Sequence, residues 1–251
     1  TERIRVAANV TNLPLRPPAV LARAAASLDL LSGGRFELGL GAGGFWDAIE
    51  AMGGGRLTPG QSVEALSEAI EVIRGIWDAD NRERFVLDGT YYQINGAKRG
   101  PAPAHDIGIW IGAYKPRMLR LTGRQGDGWL PSLGYIKDLQ DLADANATID
   151  QAAVAAGRDP RAIRRLLNIS GQFSSEASDR LLVGPPEQWV QQLGALTLEY
   201  GFSGYILMGD DPTTLTVFGQ EVAPALRELV TAERNAAPGR ASVERPDSLG
   251  S

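Results

Sequence analysis

Six times along the chain a short, nearly continuous apolar run gives way to a longer segment with helical spacing, and this alternation restricts the fold more than any other feature. The apolar runs lie at residues 4–10, 36–40, 107–111, 128–130, 166–170 and 204–208. Between and after them, helical patterns occupy 17–31, 61–77, the stretch carrying Met118, Leu119 and Leu121, then 139–156, 185–200 and 214–233. Strand and helix in strict alternation imply a parallel sheet with right-handed crossovers. Runs with no polar face suit strands that helices cover. Two architectures satisfy the pattern, a doubly wound open sheet and an eight-stranded (β/α)₈ barrel, of which six units are two short.

Local signals mark the element ends. Pro17 and Pro18 open the first helix and Ser32-Gly33-Gly34 stop it. In the segment 61–77, Val63, Leu66, Ile70, Ile73 and Trp77 recur at helical spacing. Asp88-Gly89-Thr90 between two short apolar runs predicts a hairpin at 85–94. From Asn235 onward the composition is Pro, Gly, Ser and charge, which predicts one domain over 1–234 and a disordered tail over 235–251.

Composition removes several chemistries. With no cysteine, disulfides, thiolate metal sites and cysteine nucleophiles are excluded together. One histidine, His105, leaves no basis for a His-based metal centre or a Ser-His triad within the chain. A net charge of −5 opposes a nucleic-acid surface. No run approaches the ~20 apolar residues of a membrane span, and no leader pattern is read at the start. The expectation is a cytoplasmic protein with a small-molecule substrate and neither nucleic-acid nor membrane partner. The chain begins with Thr1 and not Met, so it reads as processed or truncated.

The stretch IGIWIGAYKPR, residues 107–117, opens a buried strand into a helix whose first turn holds Lys115, Pro116 and Arg117. Cations oppose the helix dipole at that end. They make sense beside an anion, since free N–H groups at a helix N-terminus also point at one. Pro116 suits the first turn because it has no N–H to leave unpaired. An ordinary surface helix with basic residues is the plain alternative. GLGAGG at 39–44 satisfies the dinucleotide pattern G-x-G-x-x-G, but a short Trp-containing helix and the loop GGGRLTPG follow it where a Rossmann unit needs a full helix.

Four segments together carry a resemblance: LARAAASLDLLSGGRFELGLGAGG (21–44), EALSEAIEVIRGIW (64–77), IWIGAYKPRMLRLTGRQGDGWLPS (109–132) and VGPPEQW (183–189). They resemble the bacterial luciferase-like oxidoreductases, and within them the branch that uses the deazaflavin coenzyme F420, similar to methylene-tetrahydromethanopterin reductase. The resemblance extends to about residue 232 and implies a TIM-type (β/α)₈ barrel with six of its units visible here. It implies hydride transfer with F420, or with FMN in the monooxygenase branch, and a homodimer. It places the cofactor phosphate at Tyr114, Lys115, Arg117 and Met118, with Met118 contributing its backbone N–H. It maps a non-proline cis peptide onto Asn9-Val10, puts Asn12 at the ring's polar edge, and brings Ala42, Gly43 and Asp47 to the cofactor, with the glycines allowing close approach to the flat ring. Some relatives carry a carboxylate proton donor where this chain has Gly44, so the sugar-phosphate dehydrogenase type is not expected. The family's first two units, with a proton-handling side chain after the second strand, have no counterpart in this sequence, so no catalytic acid or base is assigned. The chain alone is then expected to be catalytically incomplete.

Other residues are assigned more simply. Ser132, just past the fourth strand, faces the mouth and is a substrate contact. Asp210 and Asp211 also follow a strand, and serve either the mouth or the cap of the next helix. Asp29 and Arg35 form a structural ion pair, Asp127 anchors the loop leading into its strand, and His105 lies at the end away from chemistry. Trp46 is near the site, while Trp77, Trp110, Trp129 and Trp189 belong to core or interface. Two rival functions stay open: a cofactor-binding barrel without catalysis, and an aldolase or isomerase, which would need a lysine inside a strand. The three lysines, Lys98, Lys115 and Lys137, all lie outside one.

Overall fold

In a computed structural model that describes residues 2–236, the expected alternation is present in order. The chain divides into two units, Thr1–Pro131 with Asp144–Ile163, and Ser132–Ala143 with Arg164–Ser251. The first holds β1 (Val6–Ala7), β2 (Thr11–Asn12), α1 (Pro18–Ser32), β3 (Phe36–Gly41), α2 (Trp46–Ala51), α3 (Pro59–Trp77), β4 (Phe85–Asp88), β5 (Gln93–Ala97), β6 (Ile109–Ile111), α4 (Pro116–Gln125) and β7 (Gly128–Trp129), and most of α5 (Gln140–Ala155). The second holds β8 (Arg164–Ile169), β9 (Gln172–Phe173), β10 (Val183–Gly184), α6 (Pro186–Tyr200), β11 (Gly204–Leu207), α7 (Pro212–Val217) and α8 (Ala223–Ala236).

In the first unit β1 and β2 both pair parallel with β3, β3 with β6, and β6 with β7. Leu38, Leu40, Ile109 and Ile111 are fully buried, as strands covered by helices require. The expected antiparallel hairpin is β4–β5. In the second unit β8 and β11 pair parallel, and β9 pairs with β10.

Helix α1 lies along α3, and Ala22, Ala25 and Ala26 of the one and Leu66, Ile70 and Ile73 of the other are all buried. Each such aliphatic side chain contributes about 1.5–3 kcal/mol on full burial. Trp77 crosses this seam, its Nε1–H donating to the Ala22 carbonyl at 2.8 Å. Helix α1 stops at Gly33, whose φ of +67° is the left-handed conformation that glycine adopts without cost. Helix α3 starts on a reciprocal capping box between Thr58 and Gln61.

Three expectations change. The strand expected over 4–10 is two short pieces, because the chain at Ala8 crowds β3: a Cβ on Gly39 would overlap the Ala8 carbonyl oxygen. The helix expected over 214–233 is α7, a π-helical turn over Phe218–Val222, and α8. Of the expected tail, Asn235 and Ala236 close α8, and 237–251 lie outside the described residues.

The polar interior follows the same logic. Asp29 is fully buried and accepts hydrogen bonds from the amides of Phe36 (3.2 Å) and His105 (3.0 Å), with His105 Nδ1 at 2.8 Å. Its side-chain partner is therefore His105, and Arg35 instead donates to the carbonyls of Ser32 and Ile4. Asp127 anchors the approach to β7: it accepts from the Ile109 amide (2.9 Å), from Arg74 (2.8 Å) and from Arg158 (3.1 Å). A charge-assisted hydrogen bond is worth about 1.5–3 kcal/mol, and partial exposure discounts these ion pairs. Asp127→Ala is expected to cost about 2 kcal/mol in urea unfolding, while Asp127→Glu should recover part of it.

Candidate functional site

The C-terminal ends of β2, β3 and β6 form a ledge. The peptide bond between Asn9 and Val10 is cis, as the resemblance anticipated. The Val10 side chain then lies over strand glycines: a Cβ on Gly41 would come within 2.8 Å of it, on Gly39 within 3.3 Å, and on Gly112 within 3.6 Å. Gly41 thus makes room for Val10, and Gly39 for the Ala8 carbonyl and Val10 together. Asn12, paired with Gly41 at the end of the ledge, has a buried side-chain oxygen with no hydrogen-bond partner. Gly43, at φ +105°, packs against Trp46 and Pro14, and a Cβ there would lie 2.8 Å from the indole. Ala42 sits between these glycines, partly exposed.

Beside the ledge, β6 leads into α4. Trp129, buried in β7, donates its Nε1–H to the Ala113 carbonyl at 2.9 Å and so ties the core to the residue before Tyr114. Tyr114 is partly exposed, and Lys115 is the N-cap of α4 with no side chain capping the first turn. The amides of Arg117 and Met118 belong to that uncapped turn. Arg117 reaches across to α3, where its Nη1 lies 2.8 Å from where a Cβ on Gly60 would stand. Its Nη2 donates to Glu64 Oε1 at 3.0 Å. The first turns of two helices and one guanidinium are therefore adjacent. Any side chain at position 60 would crowd that guanidinium.

Not every expected residue joins this group. Asp47, in the first turn of α2, is almost wholly exposed, and Arg56, which also binds Glu50, takes its carboxylate. Ser132 belongs to the second unit. Its Oγ accepts from Asn168 Nδ2 at 3.1 Å, and the two residues form a parallel bridge at the end of β8. Asp211 caps α7, its Oδ2 accepting the Thr214 amide at 2.7 Å, and the Thr214 hydroxyl first, with that amide second, holds its carboxyl below the ordinary carboxylate value. Gly60, Glu64, Tyr91 and Asn168 were missed. A polar residue inside the apolar run RRLLNI was the legible sign of Asn168, and the sequence TPGQ marked the start of α3 without showing what it faces.

Among the described residues no helix is long and apolar enough to cross a membrane. Similarity to known proteins agrees with this architecture. The chain is 36% identical over 167 residues to the phthiodiolone/phenolphthiodiolone dimycocerosates ketoreductase of Mycobacterium tuberculosis, a match over 64% of this chain and 41% of that protein. The Mycobacterium kansasii protein of the same name is equally similar over 168 residues. The chain thus spans less than half the length of these curated relatives. Among solved structures, an F420-dependent secondary alcohol dehydrogenase in complex with an F420-acetone adduct superposes with a TM-score of 0.79 at 18% identity, covering 90% of this chain and 81% of that one. The coenzyme F420-dependent tetrahydromethanopterin reductase of Methanopyrus kandleri gives 0.70 at 19% identity, covering 89% and 83%. A riboflavin lyase with modified FMN and riboflavin gives 0.78 at 17% identity, covering 91% and 71%. These likenesses identify the fold as the luciferase-like TIM-type barrel, with parallel β/α units in the order seen here. The family described as luciferase-like monooxygenase matches residues 1–181, well over half of the sequence, and the chain belongs to that family.

Proposed function

We propose that this chain forms the cofactor-binding part of an F420-dependent oxidoreductase that moves a hydride between the deazaflavin and the carbonyl carbon of a ketone or its secondary alcohol. The observation that carries the reading is the cradle at Gly60, Lys115, Arg117 and Met118, whose chemistry suits the cofactor phosphate. The chain's residues then divide the work. Lys115, Arg117 and the first-turn amides of α4 hold the phosphate, with Tyr114 beside it. Val10, raised by Asn9 on its floor of glycines, supports the ring. Asn12 offers its unpartnered oxygen to a ring N–H, and Ala42 and Gly43 line the ring's edge. Asp47 keeps only an outer role, through Arg56. Bound there, the deazaflavin supplies the hydride chemistry itself.

Within the second unit taken by itself, Ser132 is the residue proposed to touch a substrate. Ser132 is held by Asn168, and the residue after it, Leu133, lines a cavity of about 540 Å³ shared with Ile136, Lys137, Asp138 and Gln192. Its volume and its mixed wall, aliphatic at Leu133 and Leu181 and charged at Lys137, Asp138 and Asp179, suit a small organic substrate that carries polar groups. The ketone–alcohol couple is supported by the activity in the mycobacterial relatives' name and by the acetone adduct of the alcohol dehydrogenase.

The FMN-using monooxygenase is the second reading, favoured by the riboflavin lyase superposition. Equilibrium dialysis with both cofactors tests the choice. Tighter binding of F420 is the expected result, and tighter FMN binding moves the protein to the monooxygenase reading. Binding of either without turnover, in a protein extended to the length of its relatives, supports the cofactor-binding barrel without catalysis.

A further inference from the structure

Glu64 is an odd neighbour for a phosphate. It stands on α3, one turn past Gly60, with Oε1 accepting from Arg117 Nη2 at 3.0 Å and Oε2 accepting the Tyr91 hydroxyl at 2.9 Å. Tyr91 lies between β4 and β5, and Glu68 clamps that turn by accepting the amides of Thr90 (2.9 Å), Tyr91 (2.8 Å) and Tyr92 (3.1 Å). The carboxylate of Glu64 is thus held from two sides. The Tyr91 hydroxyl, and after it the Arg117 guanidinium, keep it below the ordinary carboxylate value, so it is charged at neutral pH. Beside the cradle it offsets one of the two side-chain cations, Lys115 and Arg117.

We propose that Glu64 is a specificity-determining residue, which biases the cradle toward a singly charged phosphodiester over a doubly charged phosphomonoester. The inference rests on the reading that the cradle holds the cofactor phosphate. A phosphodiester, such as that of F420, carries one negative charge near neutral pH. A phosphomonoester, such as that of FMN, carries about 1.5 to 2. Repulsion by a fixed carboxylate acts on every unit of ligand charge, so it counts nearly twice against the monoester. Arg117 and the helix ends attract both esters, and Glu64 changes the difference between them. The site is half exposed, with side-chain accessibilities of 54% for Arg117 and 55% for Glu64, so the bias is modest.

The test uses one ring with two charges: FMN and its methyl phosphodiester, titrated by flavin fluorescence, with riboflavin as the phosphate-free reference. Glu64→Gln keeps the shape and removes the charge. It is expected to strengthen FMN binding about fivefold and diester binding about twofold, the size that exposed charge pairs allow. Tyr91→Phe keeps the Glu64 charge and should leave the FMN-to-diester ratio where it was. Equal changes for both ligands in Glu64→Gln, or none, overturn the proposal. A ratio shift in Tyr91→Phe as large as that in Glu64→Gln overturns it as well, since geometry and not charge would then be responsible. If FMN binds the unaltered protein no better than riboflavin does, the phosphate cradle itself is wrong.

Discussion

Asp29→Ala is expected to lower the unfolding free energy by about 2–6 kcal/mol, at about 1–3 kcal/mol for each of the two backbone amides left without an acceptor. The carboxylate is fully buried and serves two backbone amides and the His105 ring. Without it, the amides of Phe36 and His105 lose their acceptor in a place water does not reach. Against a typical total of about 5–15 kcal/mol, the loss is severe, and urea unfolding measures it directly. The same group gives an acid dependence. Burial pushes the Asp29 carboxyl up, but the His105 ring and the amides of His105 and Phe36 outweigh this and hold it below its ordinary value of 3.8. A depressed carboxyl contributes stability that is fully present above its unfolded value and is lost as pH falls through its folded value. Asp29→Asn should therefore be less stable than the parent at pH 6, with the gap closing as pH falls below about 3.8. A gap of constant size down to pH 2 would show that His105 does not depend on the charge.

Arg117→Ala is expected to weaken cofactor binding by roughly ten- to hundredfold, corresponding to a charge-assisted contact of about 1.5–3 kcal/mol. Arg117 links the start of α4 to α3, through its approach to Gly60 and its hydrogen bond to Glu64. Arg117→Lys should restore part of the affinity, since a point charge lacks the guanidinium's two-sided reach. Fluorescence titration with F420 and with FMN measures both variants. Unchanged affinity in Arg117→Ala would take the residue out of the site and leave the backbone amides and Lys115 as the anion's partners.

Much of this architecture was legible because its signals are local. Apolar runs at 36–40 and 107–111 are strands since both faces are covered, and Val63, Leu66, Ile70 and Ile73 are a helix face because their spacing is 3.6. The proline starts of α1 and α4 and the glycine stop of α1 were equally readable. The errors fell where long-range contact decides. Asp29 was given to Arg35, six residues away, while its partner is His105, 76 residues on. The strand over 4–10 appeared continuous because nothing in it announces the crowding between Ala8 and Gly39.

The candidate site divides along the same line. Lys115, Pro116 and Arg117 at a helix start pointed to an anion by themselves, because the helix dipole makes cations there unfavourable without one. No spacing in the sequence joins Gly60 to Arg117 or Glu64 to Tyr91, for these pairs meet only when α3, α4 and the β4–β5 hairpin are packed together. Periodicity and end signals determined which elements form and in what order, since these depend on neighbours within a few residues. Tertiary packing alone decided which buried carboxylate meets which base, and which charges stand beside Gly60 and the start of α4. Those choices depend on distances between segments that the chain's own order does not encode locally.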